Sequence, residues 1–439
     1  MGVKGIDRVD HLFYNLAMDA ASKLELFATQ MYLEPAEDAD ARVIPLQLVS
    51  QRANATPGAT PKVLPCGQVE RPDGQIAAPD TRKSAGLQAK RKSLGITEAV
   101  MPGGKTITLL KTMVTSACER NCYYCPFRAG RNYRRATFKP EELAQTFMEM
   151  YRAGLVEGLF LSSGIIRGGV ATQDKLIATA DILRNKLNFR GYLHLKIMPG
   201  AERDQVQRSM ELASRVSVNL EGPNDKRLRL LAPKKVFLEE LLQPLKWVDE
   251  IRQTAAPLKT WNGRWPSSTT QFVVGAVGDS DLELLTTSSY LLGQLRLSRT
   301  YYMAFNPVPD TPLENVPAEN PWRQHRLYQA SFLLRDYGFD LEEMPFSQDG
   351  NLPLEADPKS AWAQANLAEA PVELNRADHE SLLRVPGIGP KGARSILQAR
   401  RHNKLRELAD LKAIGVRPAR PAPYVLLDGK RPTYQPRLL

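Results

Sequence analysis

The sequence predicts an α/β protein: a partial or full parallel β/α barrel, followed by a small, basic, all-helical domain. Six short strand-like runs alternate with helical stretches between Lys105 and Tyr337, the pattern of a sheet wound with helices. The runs read as near-continuous apolar segments, as in a parallel sheet covered on both faces. Charge is the third signal. The chain has a net charge of +11, and Pro371 to Leu439 holds 14 basic against 6 acidic residues.

At 439 residues the chain has room for about three domains. Asp19–Tyr32 has apolar residues at helical spacing, whereas Leu48–Ala99, rich in Ala, Pro, Gly and Arg, reads as loop. The predicted strands are Thr106–Thr115, Gly158–Ser163, Tyr192–Ile197, Arg215–Leu220, Thr269–Val274 and Thr300–Phe305. The clearest helix is Pro140–Gly154, with Pro at its first turn, acids beside it and Gly at its end. Trp322–Tyr337 follows the sixth strand as a helix, and Asp349–Ala370 reads as a connector. The expected divisions are an extension over 1–100, a core over 101–348, a linker over 349–371 and a helical domain over 372–439. No apolar run nears the roughly 20 residues that span a bilayer. Asp7, Arg8, Asp10 and His11 interrupt the start where a signal peptide needs an apolar stretch. A cytoplasmic protein is expected.

Four cysteines are present, and Cys118, Cys122 and Cys125 fall within eight residues. That is no disulfide framework; it reads as a metal site. In barrels of this kind chemistry sits at the carboxyl ends of the strands, where Cys118 falls. The spacing C-x3-C-x2-C lets three thiolates hold three irons of a [4Fe–4S] cube and leave the fourth open. A Cys₃His zinc site with His194 as fourth ligand is the alternative.

With Tyr124 before the last cysteine, this motif resembles the radical S-adenosylmethionine superfamily. The resemblance implies that the methionyl amine and carboxylate chelate the open iron. Reductive cleavage then yields a 5′-deoxyadenosyl radical that abstracts substrate hydrogen. It further implies cofactor-binding roles for Tyr124 and for Ser162, Ser163 and Gly164 at the end of the second strand. The glutamate usual at that turn is absent, which leaves the amine to carbonyls and hydroxyls. Asn219 and Glu221 at the end of the fourth strand would hold the ribose or amino acid portion, and Gly275 after the fifth would pack on adenine.

In the tail, Leu382–Ile396 resembles a helix-hairpin-helix. Helices are expected over Asp378–Arg384 and Pro390–Arg401, with Pro386-Gly387-Ile388-Gly389 as the hairpin and Ile388 buried. Amides freed by Gly387 and Gly389 at a helix N-terminus suit a phosphate oxygen, and Lys391 and Arg394 add charge. Such a motif grips the backbone of DNA without choosing sequence; a helical pair for protein contact is the alternative. Glu407–Tyr424 offers a degenerate second copy with Ile414-Gly415 as its hairpin.

The combination resembles a bacterial group of radical S-adenosylmethionine proteins assigned to DNA modification or repair, over Met101 to about Arg431. Leu109-Leu-Lys, Asn306–Leu313 and Ala361-Trp-Ala share in the match. It implies DNA as partner, a low-potential electron donor and a uracil-DNA-glycosylase-like protein. Methylthiotransferases need three further cysteines, and only Cys66 remains. Cys66 is either a hydrogen relay or an incidental thiol, while Tyr123, Tyr301 and Tyr302 are other hydrogen donors to weigh against packing roles. An RNA-modifying radical enzyme and a DNA-binding redox sensor without turnover are the alternative functions.

Overall fold

The computed structural model describes residues 18–29, 31, 93–100 and 105–434. Cys66 and most of Leu48–Ala99 lie outside them. A seven-stranded sheet runs in sequence order: β1 (Ile96–Val100), β2 (Thr106–Met113), β3 (Gly158–Ser162), β4 (Tyr192–Lys196), β5 (Arg215–Ser217), β6 (Ser267–Val274) and β7 (Arg299–Ala304). The six predicted strands are the parallel set β2–β7, and β1 is added antiparallel on the β2 edge. The two end strands do not meet, so the barrel is partial. β1 corrects the loop expected up to Ala99. It is five residues on an edge with only Ile96 and Ala99 buried, too short a run to stand out beside the Ala/Pro-rich stretch.

The strands also alternate where near-continuous apolar runs were expected. Leu110, Leu159, Leu161, Leu193, Leu195, Val216, Phe272 and Tyr302 line one side, against which the helices pack. The register sets Lys111, Phe160, His194, Lys196, Arg215, Gln271, Arg299 and Tyr301 on the other. This inner side carries buried cations; Lys111, Lys196 and Arg215 are each under a tenth exposed. Stems of Lys and Arg read as interruptions of an apolar run, yet they mark the inside of the barrel.

The helices run α1 (Ala20–Ala28), α2 (Pro140–Arg152), α3 (Gly168–Asp181), α4 (Arg203–Leu212), α5 (Asp225–Leu231), α6 (Gln243–Thr254), α7 (Asp281–Gly293) and α8 (Pro321–Asp336). Asp19 caps α1 by accepting from the Ser22 amide at 2.7 Å, and Phe27 packs edge-on to Phe138 at 5.8 Å. Near the start of α8 Arg323 pairs with Asp279 on the loop after β6 and with Asp281 in the first turn of α7, whereas near its end Arg335 donates to the Ser298 carbonyl just before β7. α8 therefore runs from the carboxyl ends of the strands to their amino ends.

The stretch expected as a connector contains α9 (Pro358–Asn366). Asp357 accepts from the Ser360 amide and Pro358 occupies the first turn, so local capping makes a helix that composition hid. The tail holds α10 (His379–Arg384), α11 (Pro390–Ala399) and α12 (Leu408–Ala413), with its own core around Leu382, Ile388 and Ile396. A two-residue parallel pair, β8 (Val372–Glu373) with β9 (Val425–Leu426), ties its ends together. Among the described residues, no helix is long and apolar enough to cross a membrane.

Candidate functional site

The loop from β2 to α2 leaves the carboxyl end of the first parallel strand and holds Cys122 buried, with Cys118 and Cys125 half-buried. Neighbouring loops fix it from several sides. The Ile165 amide donates to Cys118 Sγ at 3.4 Å, and the Glu119 amide donates to the Ile165 carbonyl at 2.8 Å. Gly164 sits so close that an added Cβ would stand 2.2 Å from the Ala117 carbonyl oxygen; a side chain there would push the cysteine loop away. The Glu119 carboxylate accepts from the Arg167 and Gly168 amides, both at 3.1 Å, and so covers the start of α3. From the far side the Tyr123 amide donates to the Leu231 carbonyl at 2.7 Å, and Arg120 pairs with Glu240 at 2.6 Å.

Behind the cysteines lies a buried polar group. The Lys235 ammonium donates to Glu221 at 2.9 Å, with side chains 9% and 5% exposed. Glu221 holds a left-handed backbone, φ 64°, and its second carboxylate oxygen is buried without a hydrogen-bond partner. Burial alone would raise this carboxyl, but Lys235 and Lys196 hold it below its ordinary value. Burial pushes the Cys122 thiol up to about 11, opposed by Lys235 and reinforced by Glu221 and Cys118. Buried Tyr124 lies beside the Glu221 carboxylate.

The other expected cofactor contacts fall around the same rim. Ser162 ends β3 and its carbonyl accepts from the Val114 amide at 2.9 Å, while the Ser163 hydroxyl donates to the Gly164 carbonyl at 2.7 Å. β5 stops at Ser217, so Asn219 and Glu221 lie beyond the strand expected to carry them. Asn219 accepts from the Lys196 ammonium. The Gly275 amide donates to the Asp279 carboxylate at 3.1 Å. His194 does not approach the cysteines in a ligand's role. Its Nε2 is 2.8 Å from Ser217 Oγ and its ring stands edge-on to Phe160 at 4.8 Å. Tyr302 is a core residue, bonded to Ser288 at 2.7 Å, and the Tyr301 hydroxyl accepts from Arg215 at 3.4 Å.

In the tail, Asp378 caps α10 and Ile388 is fully buried. Gly387 has φ +84° and is exposed, as are Lys391 and Arg394, while Gly389 is partly covered. Tail and barrel meet through Arg384, which pairs with Glu343 at 2.8 Å, donates to the Tyr337 and Gly338 carbonyls and lies 4.0 Å from the Phe339 ring. Tyr337 caps the end of α8, so the tail sits by the amino ends of the strands, opposite the cysteine loop. The second hairpin is half formed: α12 leads through Ile414-Gly415 to a single turn over Ala422–Tyr424.

A family profile described as the radical SAM superfamily matches residues 112–255, which include all three cysteines, and a helix-hairpin-helix profile matches 368–416. The chain carries a radical SAM domain. Radical SAM proteins use a [4Fe–4S] cluster and S-adenosylmethionine. No curated protein matches the chain. Among solved structures it is similar to the FeFe-hydrogenase maturase HydG from Carboxydothermus hydrogenoformans, at 15% identity over 52% of this chain and 51% of that one, with TM-score 0.41. It is also similar to methylornithine synthase, at 14% identity over 52% and 62%, TM-score 0.41. The radical S-adenosylmethionine methyltransferase TsrM from Kitasatospora setae gives 15% identity over 72% and 52%, TM-score 0.37. The chain spans about half the length of the first of these.

The donor set of the radical SAM domain fits such a cluster. Three thiols come from one loop, the number that takes three corners of a four-iron cube and leaves the fourth iron open. The second Glu221 carboxylate oxygen, buried without a hydrogen bond beside Tyr124, is an available acceptor.

Sequence reasoning missed Arg135. Its guanidinium is buried and donates to the carbonyls of Ser116 and Phe127 at 2.6 Å, Arg128 at 2.7 Å and Arg131 at 3.4 Å. One side chain thus gathers four backbone acceptors of the cysteine loop. Arg131 adds a tie to the loop after β7 through the Pro309 carbonyl at 2.9 Å. The only sequence trace of this is an arginine-rich run, Arg128 to Arg135, which reads as surface charge.

Proposed function

We propose that this protein is a radical SAM enzyme acting on DNA, with Cys118, Cys122 and Cys125 as the ligands of its cluster. The observation that supports it most is the coupling of a three-thiol loop at the carboxyl end of a partial barrel to a basic helix-hairpin-helix in one chain. When bound, the cluster and S-adenosylmethionine supply a 5′-deoxyadenosyl radical that abstracts hydrogen. The chain's own residues hold and shield that site. Arg135, Glu119 and Gly164 fix the thiol loop, Tyr124 and Lys235 exclude water behind it, and Glu221 offers a buried acceptor for a hydroxyl or amine of the cofactor. Ser162 and Ser163 contribute carbonyls at the adjacent turn, Asn219 a polar group beside Lys196, and Gly275 a side-chain-free surface for a flat ring.

Gly387, Gly389, Lys391 and Arg394 are the proposed nucleic-acid contacts. A base inside a duplex does not reach a barrel mouth, so a flipped or single-stranded base is the substrate form. The reading calls for a low-potential electron donor, and a uracil-DNA-glycosylase-like protein is a candidate partner through the family resemblance. RNA is the second substrate to test, since backbone recognition by the hairpin serves either polymer.

The test is anaerobic reconstitution followed by iron analysis and electron paramagnetic resonance of the reduced protein. About four irons per chain, with a signal altered by S-adenosylmethionine, is expected, and Cys122→Ala should lose both. Labelled DNA and RNA then compete for the full chain, with Lys391→Ala/Arg394→Ala as the surface variant. Equal DNA binding by that variant would remove the tail from the account.

A further inference from the structure

Between the end of α8 and the first hairpin lies a cleft of about 250 Å³, lined by Tyr337, Asp357, Lys359, Gly387, Gly389 and Arg420 among others. Two cations line it, Arg420 and Lys359, and Arg384 lies outside the cleft at the joint. Arg384 has Glu343 and Arg420 has Asp357 as ion-pair partners at 2.8 and 2.5 Å. Lys359 has no carboxylate of its own among the described residues. It is 8% exposed, donates to the Ile388 carbonyl at 2.6 Å and lies 4.6 Å from the centre of the Tyr337 ring.

A buried ammonium with only a carbonyl and a ring as partners is a costly arrangement. The cost shows in its acidity, which burial drives to about 7 with Arg420 and Arg384 adding and Asp357 opposing. Lys359 opens onto the same cleft as the backbone of Gly389, the N-cap of the ten-residue α11, where amides at a helix start favour an anion. The cleft thus holds one more positive than negative side chain.

We infer that this cleft takes a single phosphate group of a nucleic-acid backbone, gripped jointly by Lys359 of α9, Arg420 and the hairpin. The site lies partly outside the helix-hairpin-helix, because Lys359 and Tyr337 belong to segments that precede it. Nucleic acid held there is clamped between barrel and tail, so the joint itself becomes part of the binding surface. Asp357 stays on Arg420 and leaves Lys359 as the cation the phosphate neutralises. The inference rests on the nucleic-acid reading of the tail, and the experiment separates the two.

Fluorescence anisotropy with labelled single-stranded and duplex DNA, run on the full chain across a potassium chloride series, reads affinity and salt slope. Lys359→Met keeps the apolar stem and removes the charge. Loss of one phosphate contact should lower the slope by about 0.7 to 0.9 and weaken binding roughly tenfold at low salt, with thermal stability kept at the pH 7 of the assay. Arg384→Ala, which loosens the joint without touching the phosphate, should leave the slope as in wild type. Inorganic phosphate at millimolar concentration should compete weakly with wild-type binding and not at all in Lys359→Met. DNA binding by wild type that is unchanged in Lys359→Met but lost in Lys391→Ala/Arg394→Ala would overturn this inference and leave the tail reading intact. An equal fall in slope for Arg384→Ala would overturn it in favour of docking alone. Wild type that binds inorganic phosphate through Lys359 but no oligonucleotide would overturn both.

Discussion

Glu221 and Lys235 form a buried ion pair, 2.9 Å from nitrogen to oxygen, beside the Cys122 thiol. Removing one partner of such a pair strands the other charge, at roughly 3 kcal/mol or more. Lys235→Met should therefore unfold at clearly lower denaturant than wild type, and Lys235→Met/Glu221→Gln should recover much of the loss. A double-mutant cycle on the apoprotein reads this coupling. Additive effects would mean that the two groups do not support each other.

Arg135 should matter more to cluster assembly than any residue but the cysteines. Arg135→Ala strands up to four loop carbonyls, a loss of about 3 kcal/mol or more from the local structure. Iron incorporation should fall severalfold while β2–β7 stay folded by circular dichroism. Normal iron content in Arg135→Ala would show that the thiol loop holds its shape without it.

Lys359 gives a pH dependence with a definite sign. Its folded value near 7 lies below that of an ordinary lysine, so above pH 7 the unfolded chain binds the extra proton. Stability should then rise with pH from 7 towards 10, and the contribution is absent below 7. Relative to Lys359→Met, wild type should gain about 2 kcal/mol between pH 7 and 9. Asp357, Arg420, Arg384 and Tyr337 face the same group, and all remain in the variant. Parallel stability curves for the two proteins would contradict the assignment.

The placement of the tail predicts a length requirement. α8 has 16 residues and so spans about 24 Å, which separates the hairpin end of the barrel from the cysteine end. Duplex DNA rises about 3.4 Å per base pair. Substrates shorter than about 7 base pairs should bind the tail without stimulating cofactor cleavage, and 20-mers should do both. Equal stimulation by a tetranucleotide would mean that substrate reaches the barrel without the tail.

The thiol motif and the hairpin were legible because each concentrates its chemistry within a few residues. The six parallel strands were legible because each carries apolar residues on the face that the helices cover and is bounded by helical stretches, although the cations of the inner face were not foreseen as buried. β1 was not, since five residues on an edge with two buried side chains resemble the loop that precedes them. α9 was hidden for a similar reason, its cap and first-turn Pro lying within a Pro- and Ala-rich segment. Glu221 could be named from its place after a strand, but its partner Lys235 lies 14 residues on, and only folding joins them. Arg135 and Lys359 look like surface charges in sequence. Burial turns one into the anchor of a loop and the other into the unpaired cation of a joint.

The most direct measurement is the formation of 5′-deoxyadenosine by the reconstituted, dithionite-reduced protein with S-adenosylmethionine, in the presence and absence of DNA. A radical SAM enzyme acting on DNA predicts formation that DNA stimulates in wild type and that Cys122→Ala abolishes. No 5′-deoxyadenosine from protein carrying about four irons would contradict it and leave a DNA-binding redox sensor as the better account.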